Sequence, residues 1–217
     1  MSDTTGTGEL SAGGYEPRKR GVRRRELFIE TAMDSFVANG FEGTSLQEIV
    51  TRTGGSLATL YRLFGNKEGL FRAVIERKFE QAFGAQHAFE LSGRPAEEAL
   101  FTVGMSLLGL VLSDEAVGVH RLMIAESARA PGLRDIFMEL APNRGKAALA
   151  DYFNAEKAAG RLRIDDCELA AAQFLGLVKA DYLMRRLLGE EIRLGEKQKT
   201  AIVRQAVDSF LSGVRPR

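Results

Sequence analysis

Apolar residues recur at helical spacing along most of the chain, and no stretch alternates with the period of two that a half-buried strand requires. Near the start, Ile29, Met33 and Phe36 lie on one face of a helix. The following Gly40-Phe41 is typical of a helix end, with the glycine in the left-handed conformation and the phenylalanine folding back. The pattern therefore predicts an all-α fold whose first helix covers about residues 21–39.

A pair of short helices follows the first one. Ser45 and Glu48 form a capping box, which predicts a helix start just after the serine. Glycines at positions 54 and 55 then interrupt the chain, and Ser56 caps a second short helix with Leu60 on its inner face. Two short helices joined by a tight glycine-containing turn, with a supporting helix before them, are typical of a helix-turn-helix.

The second helix of such a pair lies in the major groove of DNA, so its outer face must carry small or hydrogen-bonding side chains. Once the apolar side chains are assigned to the interior, Ala58, Thr59, Tyr61 and Arg62 are left to face outward. Lys67 opens the next predicted helix, where a cation and free backbone N–H groups can meet a phosphate together. These residues predict a DNA-reading head.

Positive charge is concentrated in the same part of the chain. Residues 17–77 contain eleven Lys/Arg and seven Asp/Glu, whereas the chain from residue 78 onward contains nineteen of each, and the whole chain carries +1. Six basic residues lie just before or within the first turns of the first helix: Arg18, Lys19, Arg20, Arg23, Arg24 and Arg25. Such a cluster is suited to following the phosphate backbone or entering a neighbouring minor groove.

These elements resemble a known family. The segments Thr59-Leu60-Tyr61, Phe64-Gly65-Asn66-Lys67-Glu68 and Leu70-Phe71, at these spacings, are similar to the TetR-family DNA-binding domain over roughly Val22 to Ala82. The resemblance implies that the start of the second helix touches the DNA backbone and that the start of the third faces the groove. It also implies phosphate contacts from Tyr61 and Lys67. With the basic flank, the expected DNA contacts are Arg23, Arg24, Ser45, Gln47, Leu57, Ala58, Thr59, Tyr61, Arg62 and Lys67.

Two positions depart from the family pattern. Gly55 stands where the family usually has a valine that packs into the small core, and we expect this change to soften the domain. Leu57 replaces a commonly polar residue, which favours contact with thymine methyl groups over hydrogen-bonded readout.

Further helices are predicted at about residues 67–90, 95–112, 114–130, 132–159 with an irregularity at Pro142, 167–188 and 195–211. Segments 121–126, 160–166 and 170–177 resemble the AefR-like class of TetR C-terminal domain, which implies small-molecule binding and dimerisation. The chain then divides into a disordered tail over 1–17, a helix-turn-helix domain over 18–82 and a helical effector-binding and dimerisation domain over 83–217. The fourth predicted helix joins the two domains.

The fifth to seventh predicted helices carry more apolar surface than a slim bundle needs, and ligand sites are concave and mostly apolar with few polar groups. Plain core packing is the competing interpretation for each residue, because Met and Phe stripes at helical spacing usually belong to a core. The expected apolar lining is Met105, Leu108, Met123, Phe137, Phe153 and Phe174. The expected polar anchors are His120, Glu126 and Lys179.

The eighth and ninth predicted helices have apolar faces, and in this family the last two helices pair with their copies in a four-helix bundle. We therefore expect a homodimer through helices 8 and 9, reading two half-sites about 34 Å, or a multiple of it, apart. An effector among helices 5 to 8 would shift helix 4, with Gly84 as a soft point.

Catalytic motifs such as a Gly-x-Ser-x-Gly elbow, a phosphate loop or His-Glu-x-x-His do not occur, and Cys167 is the one cysteine. We expect no enzymatic activity, no metal site and no cofactor. No apolar run of about 18 residues or signal peptide is present, so a cytoplasmic protein without a membrane partner is expected. The sequence predicts a regulator that binds double-stranded operator DNA, with repression relieved by a small lipophilic effector favoured over activation. The alternative is a helical ligand-binding or scaffold protein that has lost specific DNA binding.

Overall fold

The structure is a computed structural model that describes residues 17–83 and 91–215. Within these ranges it consists of helices and their connections, with no strand. A short π-helical turn at Glu139–Asn143 lies between the seventh and eighth α-helices. The helices are α1 Pro17–Gly43, α2 Leu46–Thr53, α3 Leu57–Phe64, α4 Lys67–Phe83, α5 Ala96–Leu112, α6 Asp114–Glu126, α7 Pro131–Met138, α8 Arg144–Ala158, α9 Cys167–Lys179, α10 Tyr182–Leu187 and α11 Glu196–Val214.

The predicted end of the first helix is confirmed. Gly40 has φ 74° and ψ 172°, which breaks the regular helix inside α1. Phe41 then folds back so that its ring stacks on Phe36 at 5.5 Å, and both rings contact Phe71 of α4 edge-on at 5.7 and 6.0 Å. The turn therefore ties α1 to α4 through three aromatic side chains.

The short helices α2 and α3 begin at the capping residues that the sequence predicts. Ser45 Oγ accepts a hydrogen bond from the Glu48 N–H at 3.4 Å, and Ser56 Oγ accepts one from the Thr59 N–H at 3.2 Å. Between them, Gly54 adopts φ 64° and ψ 29° and ends α2 in the left-handed conformation. A helix-turn-helix results.

The apolar interior forms two main clusters, and the first extends beyond the predicted N-terminal domain. It joins buried residues of α1–α4 to Val119, Leu122 and Met123 of α6 and to Leu133 of α7. On α6, a Cβ placed at Gly118 would lie 3.0 Å from both γ-carbons of Val37 on α1, so these two helices are in close contact. The DNA-reading head and the adjoining part of the C-terminal region therefore share one core.

The second cluster fills the bundle of α5, α8, α9 and α11. At its centre the Phe210 ring stacks on Phe153 at 5.3 Å and meets Phe174 edge-on at 5.4 Å. At the end of α8, Arg161 donates two hydrogen bonds, at 2.8 and 2.7 Å, to the buried carboxylate of Glu156. The three aromatic rings join α8, α9 and α11 in a core distinct from that of the head.

The single helix predicted over 167–188 is wrong, because the chain breaks at Ala180. This residue has φ 41° and ψ −129°, a strained conformation for a residue with a Cβ, and it separates α9 from α10. The break directs the end of α10 toward α6, where Arg121 donates to the carbonyl oxygens of Arg186 and Leu187. These hydrogen bonds join segments that are distant in sequence, so the local pattern around Ala180 does not reveal them.

The other predicted irregularity is confirmed, since Pro142 lies in the π-helical turn. The predicted tail over 1–17 lies outside the described residues apart from Pro17, which opens α1. The last residues of predicted helix 4, including Gly84, also lie outside them. No single described helix is long and apolar enough to cross a membrane, although α5 and α6, bent by 69°, pass the same length and composition criteria as a pair.

Candidate nucleic-acid interface and ligand cavity

The recognition helix α3 has one buried face and one accessible face. Leu60 is fully buried in the core of the head, whereas the Tyr61 side chain on the opposite face is 48% exposed. Ala58 and Arg62 are also exposed, and Leu57 and Thr59 are half-buried. The hydroxyl groups of Thr59 and Ser56 lie 2.9 Å apart. The outer face thus offers a methyl group, a hydroxyl, a phenol and a guanidinium to a partner.

The start of α2 and the start of α1 flank this face. Ser45 and Gln47 are exposed at the first turn of α2, and Arg23 is exposed on α1. Arg24 differs, because its guanidinium donates a hydrogen bond to the Gly54 carbonyl oxygen at 2.8 Å. Arg24 therefore ties α1 to the turn of the helix-turn-helix in the free protein.

Lys67, at the start of α4, also has a partner within the head. Its Nζ donates a hydrogen bond to the Glu42 carbonyl oxygen at 3.1 Å and lies 4.8 Å from the centre of the Phe41 ring. An ammonium group has three N–H donors, so two remain for other acceptors. These contacts hold the lysine, at the start of α4, against the end of α1.

The space around Gly55 is occupied by Phe28 of α1. A Cβ at position 55 would lie 2.6 Å from Phe28 Cζ and 3.3 Å from a guanidinium nitrogen of Arg24. Phe28 is fully buried, and its ring contacts Phe64 of α3 edge-on at 6.2 Å. The large residue at 28 therefore fills the volume that a side chain at 55 would take.

A second glycine sets the angle between α3 and α4. A Cβ at Gly69 would lie 1.9 Å from the carbonyl oxygen of Phe64, a backbone atom that cannot move aside cheaply. The Gly69 N–H also donates to Asn66 Oδ1 at 2.7 Å, which caps α4. The end of the recognition helix thus packs directly against the backbone of α4.

A cavity of about 630 Å³ lies between α4, α5, α6, the end of α7, the π-helical turn, α8, α9 and α10. This volume is in the range of small-molecule sites. Polar groups on its wall include Lys78, His120, Lys146 and Lys179. Its apolar wall includes Phe79, Met105, Leu107, Leu110, Phe137 and Leu175.

The wall of the cavity also belongs to the core of the head. Ile75 of α4 and Val119 of α6 line the cavity and are buried members of the first hydrophobic cluster. A ligand that moves either side chain therefore acts directly on the packing of α1–α4.

His120 is a neutral polar group on this wall. Its Nδ1 donates a hydrogen bond to the Ala116 carbonyl oxygen at 2.7 Å, and its ring meets Phe137 edge-on at 5.4 Å. Burial of the ring lowers the pKa of His120, and the charge of Lys179 lowers it further. With Nδ1 as donor, Nε2 is left as an acceptor at neutral pH.

Comparison with known proteins identifies the family. Residues 28–74 match the bacterial regulatory proteins of the tetR family, and residues 98–213 match the AefR-like transcriptional repressor C-terminal domain. The chain belongs to the TetR family. It is similar to the flavonoid-responsive regulator FrrA, with 31% identity, a TM-score of 0.73, and coverage of 90% of this chain and 99% of FrrA.

Two TetR-family regulators are similar over shorter parts. The repressor ComR of Escherichia coli K12 is 45% identical over 67 residues, which cover 31% of each protein. The regulator TcmR of Streptomyces glaucescens is 30% identical over 137 residues, 61% of this chain and 60% of TcmR. The chain thus aligns with less than two thirds of either regulator.

The predicted pocket residues of this TetR-family chain fall into two groups. Met105, His120, Phe137 and Lys179 line the cavity. Leu108, Phe153 and Phe174 are buried in the bundle core, Met123 is buried in the shared core, and Glu126 lies beside Gly40, with Oε1 2.9 Å from where a Cβ would be. Within residues 17–83 and 91–215, no three His, Cys, Asp or Glu side chains gather as a metal site.

Lys78 and Phe79 of α4 line the cavity but were not among the expected pocket residues. The sequence pattern assigned α4 to the connection between the domains. Helical periodicity shows which residues share a face, but it does not show that this face borders a void.

The pairing of Gly55 with Phe28 generates a stability prediction. The change Gly55→Val should lower the free energy of unfolding by about 1–3 kcal/mol, because the added side chain overlaps the Phe28 ring. Phe28→Ala alone should cost about 3–5 kcal/mol. The double variant should cost less than the sum, since the valine enters the vacated volume. Urea unfolding of the four proteins measures this, and additive losses would contradict the pairing.

Proposed function

We propose that this chain is a repressor that binds operator DNA as a homodimer and is released by a small lipophilic effector. One observation carries the proposal: Ile75 and Val119 belong both to the cavity wall and to the core that supports the recognition helix. A ligand site and a DNA-reading head with common core residues have a physical route for coupling.

In the proposed complex, the exposed face of α3 enters the major groove. Ala58 and Thr59 face base edges, Leu57 contacts thymine methyl groups, and Tyr61 donates its hydroxyl to a phosphate. Arg62 reaches a base or a phosphate. This assignment is supported by exposure on one face of a helix whose opposite face is locked by Leu60.

Phosphate contacts at the flanks come from Arg23, Ser45, Gln47 and Lys67. Lys67 is already positioned by Glu42 and Phe41, so little side-chain entropy is lost when a phosphate replaces water at its remaining donors. Arg24 reaches DNA only if it gives up its hydrogen bond to Gly54 or shares the guanidinium between the two acceptors.

The proposed dimer interface lies on the outer faces of α9, which is the first part of predicted helix 8, and of α11, which corresponds to predicted helix 9. Leu169 and Leu177 project from α9 with 54% and 46% exposure, and Gly176 between them permits close approach of a second helix. Gln173, Gly176, Leu177 and Phe210 also line a shallow depression on this surface. Pairing with a second copy removes this apolar surface from water.

Release requires that occupation of the cavity change the position of the head. Helix α4 contributes Phe71 and Val74 to the core of the head, while Lys78 and Phe79 line the cavity. The π-helical turn is a second connection, because Arg72 of α4 makes two 3.0 Å hydrogen bonds to the carboxylate of Glu139. Ala141 and Pro142 of the same turn line the cavity. Movement of either wall element therefore acts on α4.

The apolar wall and the volume of the cavity support a small lipophilic molecule as the effector. FrrA, which shares this architecture, is a flavonoid-responsive regulator by name. We extend to this chain only the idea that a lipophilic small molecule occupies the C-terminal cavity.

A duplex selected from a random library by the purified protein provides the operator for the following measurements. Lys67→Gln should weaken binding to selected and random duplexes alike, and it should reduce the slope of log K against log salt by about one unit per chain. Lys157→Gln is the matched control, because it removes the same charge from an exposed site on α8, where Nζ likewise donates to a backbone carbonyl oxygen, that of Asp165. An unchanged slope for Lys67→Gln would rule out the phosphate contact, and failure to select any duplex would favour the scaffold alternative.

The dimer prediction concerns the exposed face of α9. Leu177→Glu places two carboxylates in the proposed interface, so the chain should sediment as a monomer and lose operator affinity by at least about tenfold. Ile124→Glu on α6, where the native side chain is 68% exposed, is the matched control and should remain dimeric. A dimeric Leu177→Glu protein would show that the interface lies elsewhere.

The coupling prediction concerns Arg72 and Glu139. The guanidinium hydrogen bonds lower the pKa of Glu139, so the pair is charged at neutral pH. Because allosteric coupling is reciprocal, operator binding should slow amide hydrogen exchange in the π-helical turn. Arg72→Glu should abolish that protection, and the charge-exchanged double variant with Glu139→Arg should restore it. Equal protection in Arg72→Glu and the native protein would exclude this connection.

A further inference from the structure

The cavity wall carries more positively charged than negatively charged side chains. Three lysines line it, namely Lys78 of α4, Lys146 of α8 and Lys179 of α9. Glu115 is the single carboxylate on the described part of the wall, and it is an exposed residue in the first turn of α6. The wall of an otherwise apolar cavity therefore carries an excess of positive charge.

Two of the three lysines have no carboxylate partner in the part of the chain that the structure describes. Lys146 pairs with Glu168 of α9, with Nζ 3.4 Å from Oε2. Within residues 17–83 and 91–215, no ion pair or hydrogen bond involves the ammonium groups of Lys78 or Lys179. Both side chains are half-buried. These are the positive charges that a ligand would meet.

Retaining unpaired ammonium groups beside an apolar void is unfavourable, because burial removes part of their hydration. The carbonyl groups at the end of α9 stabilise the positive charge of Lys179, since a helix C-terminus attracts cations. Its charge acts inside the cavity, because it lowers the pKa of His120. A ligand with a negative group would offset the lost hydration, whereas a cationic ligand would add repulsion.

The geometry points to an effector with an apolar body and one anionic group, of the organic carboxylate class, whose charge is met by Lys78 and Lys179. This inference rests on the proposed role of the cavity as the effector site. The apolar body packs between Phe79, Leu107 and Phe137. His120 Nε2 accepts a hydrogen bond from a hydroxyl elsewhere on the ligand.

The inference is tested by direct binding to the full chain without DNA, measured by isothermal titration calorimetry below micellar concentrations. The first probe series keeps the alkyl chain length constant and varies the charge of the head group. Its members are decanoate, 1-decanol and decyltrimethylammonium. A second series, 2-naphthoate against 2-naphthol, distinguishes aliphatic from aromatic bodies. In at least one series the carboxylate should bind at one per chain and about tenfold more tightly than its neutral counterpart, a difference of ~1.4 kcal/mol.

Variants assign the preference to the two lysines. Lys78→Gln and Lys179→Gln should each weaken carboxylate binding about three- to tenfold, and the double variant should bind the acid and the alcohol equally. Affinity for the neutral probe should stay within about twofold in all three. Lys179→Arg should retain the preference, and Lys157→Gln, at an exposed residue that does not line the cavity, should leave it unchanged. Leu110→Trp narrows the cavity and should weaken binding of every probe.

Three outcomes would overturn the inference: neither carboxylate binds more tightly than its neutral counterpart, the cationic probe binds most tightly, or the preference survives in the double variant. Operator binding with and without the same probes tests the proposed function separately. Carboxylate binding that depends on the lysines but leaves operator affinity unchanged would refute release while the inference stands. Release by the neutral probe alone would refute the inference while the proposed function stands.

Discussion

The structure depends on burial of α6 and α7 in the same apolar core that holds α1–α4 together. Leu122 and Met123 of α6 pack in the cluster that contains Phe71, and the head therefore has no separate interior of its own. Deforming a close-packed core is costly, and such interiors transmit displacements instead of absorbing them. The contact between α1 and α6 at Val37 and Gly118 strengthens this effect, because no long side chain lies between the two backbones. The ligand cavity and the recognition helix are thus mechanically connected by packing.

Local sequence rules predict the head well. The breaks at Gly40 and Gly54 and the caps at Ser45 and Ser56 depend on residues within about four positions of each other, so the chain near each site determines the outcome. The break at Ala180 could not be predicted in this way. An alanine is a good helix former, and the hydrogen bonds that accompany its unusual backbone conformation join α6 to α10 across more than sixty positions in sequence.

The cavity was harder to predict than the fold, for a reason that Phe137 and Phe174 illustrate. Both lie on apolar helical stripes, yet one borders the void and the other is fully enclosed in the bundle. Periodicity distinguishes inside from outside but does not distinguish a packed interior from an empty one. Gly55 illustrates a second limit of prediction from the sequence. A side chain at position 55 would overlap the ring of Phe28, and this contact joins positions far apart in sequence, so no local pattern predicts it.

The π-helical turn at Glu139–Asn143 has a consequence for how such a cavity can change over evolutionary time. A π-helical turn contains one residue more than an α-helical path between the same ends. Loss of one residue there would therefore restore a regular α-helical turn while α7 and α8 kept their orientation. A single-codon deletion could then alter the part of the wall formed by Ala141 and Pro142 while the recognition helix and its capping residues stayed unaltered, so ligand preference can diverge without loss of DNA readout.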